Sequence, residues 1–344
     1  MVSFYLEIKV INAFVHLLLK HRPMHSRPST LTPSQAPSSH GVGAASVQAS
    51  ATVRAPAHPA AGPLDVLLTA LAPLIWGSTY IVTTELLPPD RPFTAAVLRA
   101  LPAGLLLVLW CRRWPAARSW LRLLVLAALN IGFFQAMLFV AAYRLPGGVA
   151  AVVGAVQPLL VMGFAWGVDK LRPARTVLLA GAVGVAGMAL LLVAPGTVWD
   201  PLGVAAALAG TLSMAAGTFW SRKWQTQLPV LAFTGWQLLL GGAMLLPVAW
   251  WADPPLPALT SMNVLGYAYL CIAGALVAYA LWFRGIARLP SVAVASLGLL
   301  SPVAAVVLGW ALLGQALAGW SLVGMCTVLV CIGVVQWSVS RPKR

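Results

Sequence analysis

Residues 144–168 read RLPGGVAAVVGAVQPLLVMGFAWGV, and residues 288–312 read RLPSVAVASLGLLSPVAAVVLGWAL. At an offset of 144 positions the Arg-Leu-Pro turns coincide, as do Gly154 with Gly298, Pro158 with Pro302 and Trp166 with Trp310. Each stretch is an apolar run that follows a helix-breaking turn. About 20 such residues at roughly 1.5 Å rise cross a hydrocarbon core of about 30 Å. The chain therefore duplicates a unit that contains a transmembrane helix.

A second offset, 138, carries the duplication toward the N-terminus. It lays Trp76 on Met214, and Arg99-x-x-x-Ala103-Gly104 on Gln237-x-x-x-Gly241-Gly242. Hydropathy places ten spans near 64–85, 93–111, 121–142, 149–168, 176–194, 202–221, 230–251, 263–284, 291–313 and 317–338. Five spans fall in each half. Five is odd, so the second half starts on the opposite side of the membrane and the repeats are inverted. That arrangement is a transporter signature, because alternating access can rock one repeat against the other around a site near the midplane. The expected fold is all-α and polytopic: a first repeat at 64–194, a second at 202–338 and a basic cytoplasmic tail at 339–344.

Composition supports this. Of 344 residues, 60% are hydrophobic and 8% charged, against about a quarter charged in soluble domains, which excludes a soluble globular protein. The net charge of +15 could suggest nucleic acid, but the basic residues sit in short loops and in the N-terminal tail. With the N-terminus inside, all of them except Arg91, Arg99 and Arg144 fall on the cytoplasmic side, so both termini are expected there, in a cell membrane. Residues 1–63 read as a disordered tail rich in Pro, Ser, Ala and His after residue 23, and Met24 makes residues 1–23 an over-called start. All five histidines lie before the first span, and the four cysteines show no C-x-x-C pair, so neither metal nor cofactor is expected.

The run Ile75-Trp76-Gly77-Ser78-Thr79-Tyr80, the Leu98-Arg99-Ala100 core of the second span, the two Arg-Leu-Pro turns and the run Trp236 to Gly242 resemble the EamA-type drug/metabolite transporters. The resemblance covers residues 64–338. It implies a ten-helix exporter or exchanger of small metabolites, often amino acids or related amphiphiles. The family often has Gly-Glu after span 9, where this chain has Gly314-Gln315.

Seven residues are candidates for substrate contact. Arg99 is the only charged group well inside a span, roughly 9 Å deep, where insertion scales put a central Arg at about +2.5 to +3.5 kcal/mol. It either holds a substrate carboxylate or serves structure by reaching carbonyls or the interface. Trp76 and Tyr80 belong to a stripe with Thr79, Thr83 and Thr84 on one helix face, which should turn away from lipid, toward a cavity or into ordinary packing. Gln135 and Tyr279 are equivalent at the offset of 144, as are Gln157 and Ser301, each of the latter followed by a proline that frees a carbonyl one turn earlier. Gln157 and Ser301 either line a polar cavity or repair their own helix kinks. Glycines in Gly163-x-x-x-Gly167 and Gly181-x-x-Gly184-x-x-Gly187 should let helices approach closely. The acids all lie in the tail, at span ends or in loops, so proton coupling through an intramembrane carboxylate lacks its usual group.

The function read from these features is a secondary or facilitative transporter, with the bilayer and a small-molecule substrate as its partners and no nucleic acid. The alternatives are a membrane enzyme acting on a lipid-linked group and a lipid-moiety flippase.

Overall fold

In lipid an apolar run must satisfy its own backbone, so each run becomes a helix and continues until a proline or polar turn stops it. The structure, a computed structural model, describes residues 62–145, 147–192, 200–224, 226–314 and 319–340. The expected tail up to residue 61, all the histidines, Gln315 and residues 341–344 lie outside the described residues. Among the described residues ten helices are long and apolar enough to cross a membrane: α1 Pro63–Leu86, α2 Pro92–Cys111, α3 Ala117–Ala141, α4 Ala151–Asp169 and α5 Arg175–Leu192, followed by α6 Pro201–Lys223, α7 Val230–Ala252, α8 Ser261–Arg288, α9 Ser291–Leu313 and α10 Trp320–Val339. The described residues contain no strand. "Near end" below means the end of the bundle where α1 starts, and "far end" the other.

Four of the helices are irregular, at positions that match between the halves. Widened π-turns occupy Ala128–Gly132 in α3 and Ile272–Val277 in α8, starting 144 positions apart. α4 breaks after Gly154 and resumes at Gln157, while α9 breaks after Leu297 and resumes at Leu300. The cause of the breaks is Pro158 and Pro302, which cannot donate to the carbonyls of Gly154 and Gly298 four residues earlier. The π-turn carbonyls find outside donors: Trp76 Nε1 donates to Gly274 O at 2.9 Å, and Ser213 Oγ donates to Leu129 O at 2.8 Å. Both donors come from the first helix of the other half.

The halves interlock. α2 packs along α7 and α5 along α10, whereas α1 lies against α8 and α9, and α6 against α3 and α4. These contacts form the groups α1–α8–α9 and α3–α4–α6, each drawn from both halves of the sequence. The α2–α7 contact needs glycine: a Cβ on Gly104 would lie 2.2 Å from the Leu239 backbone nitrogen. Gly187 serves α5–α10 similarly, 2.8 Å from Thr327 Cγ2, but Gly163 and Gly167 face open space with nothing within 4 Å. The close approach expected at that pair is absent among the described residues.

Charged groups tie the ends. At the near end Asp65 accepts from Arg284 Nη2 at 2.7 Å and Arg288 Nη1 at 3.1 Å, Lys223 pairs with Asp169, and Arg222 Nη1 donates to the carbonyls of Ile286 and Leu289 at the end of α8. At the far end Arg144 pairs with Asp200 at 3.2 Å, and Asp253 accepts from the Thr94 N–H that opens α2. Asp200 caps α6, and the Leu202 N–H followed by Arg144 holds its carboxyl below the ordinary aspartate range. The stability this contributes is present above that range and is lost as pH falls below it. Exposed tryptophans ring both ends, Trp110, Trp114 and Trp337 at the near end and Trp250, Trp251 and Trp320 at the far end. Indoles settle at membrane–water interfaces in this way.

Candidate functional site

Arg99 projects from α2 toward α8. Its Nη2 donates to the Tyr279 hydroxyl at 3.4 Å, with the guanidinium carbon 5.8 Å from the Tyr279 ring centroid. Both contacts are long, and Nε, buried, has no hydrogen-bond partner. Among the described residues no carboxylate pairs with Arg99; the ion pairs involve Asp65, Asp169 and Asp200 with other cations. A cation so placed within a span, with one weak neutral partner, keeps most of its capacity to bind an anion.

Tyr279 is held rigidly. It is fully buried, stacks on Phe283 at 5.9 Å and meets the Trp76 ring at 4.9 Å in a tilted contact. The Trp76 ring lies 5.2 Å from that of Trp282, whose outer edge would come within 3.6 Å of a Cβ on Gly298. Packed aromatic rings fix one another's orientation, so the Tyr279 hydroxyl is presented to Arg99 at little entropic cost.

Gly298 also lines a cavity of about 150 Å³ between α3, α4, α6 and α9. Both helix interruptions open onto it, through Gly154 and Ala155 on one side and Gly298 and Leu299 on the other, with Gln157 and Thr211 as polar wall. It extends toward the far end, where Ala141, Ala151 and Ala207 line it. Interrupted helices leave peptide groups outside the helical ladder, and in membrane transporters these serve as binding groups at the midplane. The Gln157 Nε2 is buried without a partner.

Of the seven residues singled out from the sequence, the structure brings Trp76, Arg99 and Tyr279 into direct contact and puts Gln157 in the cavity wall. Gln135 is completely buried with both amide atoms unpartnered, beside the cavity-lining Phe134. Ser301 precedes the cavity-lining Pro302, and its carbonyl would lie 2.6 Å from a Cβ on Gly77, which fixes α9 against α1. The Tyr80 side chain lies outside the described residues. The α1 stripe does not turn inward along its whole length, because Thr84 is exposed and its hydroxyl bonds back to Ile81 O.

The sequence reading passed over Trp282, Asn130 and Asp65. Trp282 follows Tyr279 by three positions on α8, a helical spacing that would have found it. Asn130 donates to Gln237 Oε1 at 2.9 Å and to Ser221 Oγ at 3.0 Å, and it stands 144 positions before Gly274, the carbonyl that Trp76 reaches. Asp65 reads from the sequence as an acid at a span end, but it is buried by two arginines from the other half.

Comparison with known proteins agrees with this architecture. The chain is 44% identical over 244 residues to Protein PecM of Dickeya dadantii (strain 3937), covering 70% of this chain and 82% of the relative. It is 30% identical over 248 residues to the uncharacterized inner membrane transporter YedA of Escherichia coli (strain K12), covering 70% and 79%. A WAT1-related chloroplastic protein of Arabidopsis thaliana is 30% identical over 287 residues, covering 76% and 67%. A solved crystal structure, 20% identical, superposes with a TM-score of 0.67 over 80% of this chain and 97% of that one, which shows the fold. The EamA-like transporter family matches twice, over residues 64–193 and 201–337. Two matched halves, with their helix interruptions and π-turns at corresponding positions, make this multi-pass membrane protein a member of the EamA-like transporter family.

Proposed function

We propose that the protein exports small amphiphilic metabolites bearing an anionic group, such as amino acids or their relatives, by alternating access and without an ATP site of its own. The observation that carries this is Arg99, a cation inside a span with no carboxylate partner, joined through Tyr279, Trp76 and Trp282 to the cavity at the two helix interruptions. The aromatic wall suits an apolar body, and the unpartnered amides of Gln135 and Gln157 suit its polar groups. The moving bodies are α1–α8–α9 and α3–α4–α6, related as inverted repeats. A transporter is favoured over a membrane enzyme because the relatives that carry a functional name, such as YedA, are named as transporters.

A thermal-shift screen of the purified protein against carboxylates, phosphates, amines and neutral amphiphiles tests the substrate class. A ligand that binds only the folded state at a hundred times its Kd adds roughly 2.7 kcal/mol of apparent stability. Carboxylate-bearing amphiphiles are expected to raise the melting midpoint of the native chain and not of Arg99→Gln. Shifts from amines alone would overturn the reading.

The proposed orientation puts the near end in the cytoplasm of a cell. Cysteines placed at positions 200 and 257 are then expected to react with an impermeant thiol reagent added outside, and those at 118 and 287 only after the membrane is opened. Outside labelling of all four contradicts both the orientation and the ten-span path.

A further inference from the structure

The two helix groups meet at the near end through an apolar cluster of Val161, Ala215 and Ala295 and through one side-chain hydrogen-bonded contact. Arg222, in the last turn of α6, reaches out of its own group to the carbonyls of Ile286 and Leu289 at the end of α8. The final carbonyls of a helix have no partner within it and carry the negative end of its dipole, so a guanidinium is a fitting cap. The next residue, Lys223, is bound to Asp169 at the end of α4, which fastens the end of α6 inside its own group and leaves Arg222 directed at the other.

We propose that Arg222 is the gating residue of the near end, its contact with the end of α8 closing that face and breaking whenever the face opens; the proposal rests on alternating access between α1–α8–α9 and α3–α4–α6. Three observations favour Arg222 over the other charged ties. The pairs Asp65–Arg284, Asp65–Arg288, Lys223–Asp169 and Arg144–Asp200 each join helices of the same group, so opening leaves them intact. Arg222 binds carbonyls and not a carboxylate, so separation strands no buried counter-charge and water can replace the bonds. Finally, the far-end counterpart at the offset of 138 is Thr84, which carries no charge. The cavity extends toward that far end. The cationic tie between the two groups thus lies at the near face.

The test needs no substrate. Thr211 lines the cavity, and Thr211→Cys in a full-length chain whose four cysteines are replaced by Ala or Ser gives a reporter for a membrane-impermeant maleimide, applied to membrane vesicles of either orientation. Arg222→Gln is expected to raise labelling from the near side by about fivefold or more without raising it from the far side, since losing a charge-assisted bond shifts a two-state equilibrium by about that much. Arg222→Lys is expected to restore part of the closure. The same reporter with Asp65→Asn, which loosens a tie within one group, should change both sides alike. If Arg222→Gln leaves near-side labelling unchanged, or raises both sides equally, Arg222 is a structural cap and the gate is refuted. If Thr211→Cys is unreactive from both faces even with Arg222 intact, the cavity is not an access path. Alternating access through it then falls together with the gate.

Discussion

Replacing Arg99 with glutamine is expected to leave the protein inserted and folded while lowering transport of anionic substrates about 10- to 100-fold, the loss of a charged hydrogen bond worth roughly 1.5–3 kcal/mol. The folded state tolerates the change because Arg99 gives it little: one hydrogen bond of 3.4 Å to a tyrosine that two aromatic rings already hold. Removing a cation from within a span also removes an insertion cost. The equivalent position in the other half is Gln237, fully buried and bonded to Asn130, so a glutamine in this setting is compatible with the scaffold. Arg99→Lys should recover part of the transport, since an ammonium keeps the charge without the planar fork that grips a carboxylate. Initial rates of uptake into proteoliposomes, with the melting midpoint as control, read both effects. A midpoint that collapses while the surviving protein transports normally assigns Arg99 to structure.

Gly104→Val should have the opposite signature, loss of the fold itself. The atoms a Cβ would meet at Gly104 are the backbone nitrogen and Cα of Leu239, at 2.2 and 2.7 Å, and neither can rotate away. Only separation of α2 from α7 relieves the clash. Overpacking ordinarily costs about 1–3 kcal/mol, and a backbone clash along the longest helix contact lies at or beyond the top of that range. The yield of monodisperse protein in detergent should fall severely, with Gly104→Ala intermediate. Gly163→Ala provides the contrast, since nothing lies within 4 Å and alanine is the better helix former by up to about 1 kcal/mol. If Gly104→Val purifies like the native chain, α2 and α7 do not pack this closely in the membrane.

Features that depend on local sequence were legible before the structure. Every span end read from hydropathy that falls on a described residue lies within four residues of its helix end, as at α3, read from 121 and starting at Ala117. The breaks at Gly154 and Gly298 follow from prolines four residues later, and the offset of 144 exposes them without coordinates. Features that depend on which helix lies beside which were not legible. Asp65 reads as an ordinary acid at a span end until α8 brings two arginines to it, and the α1 stripe is exposed by the time it reaches Thr84. Nor does spacing alone separate a glycine that admits a helix, such as Gly187, from one that faces outward, such as Gly167. Of the candidate site, the contact of Trp76 with Tyr279 required two halves of the chain to meet, yet each residue was marked by its place in the repeat.

The crossing of the first helices has a consequence for synthesis. α1 leaves the ribosome first, but Gly274, Arg284 and Arg288, which satisfy Trp76 and Asp65, are translated some two hundred residues later. Until then Asp65 and the Trp76 indole must be met by water, lipid headgroups or an insertion chaperone. Neither half can reach its native packing alone during biogenesis, and these contacts of α1 form only once α8 has been made. A chain cut between α5 and α6 should therefore be rescued when both fragments are made in the same cell, and each fragment made alone should be degraded.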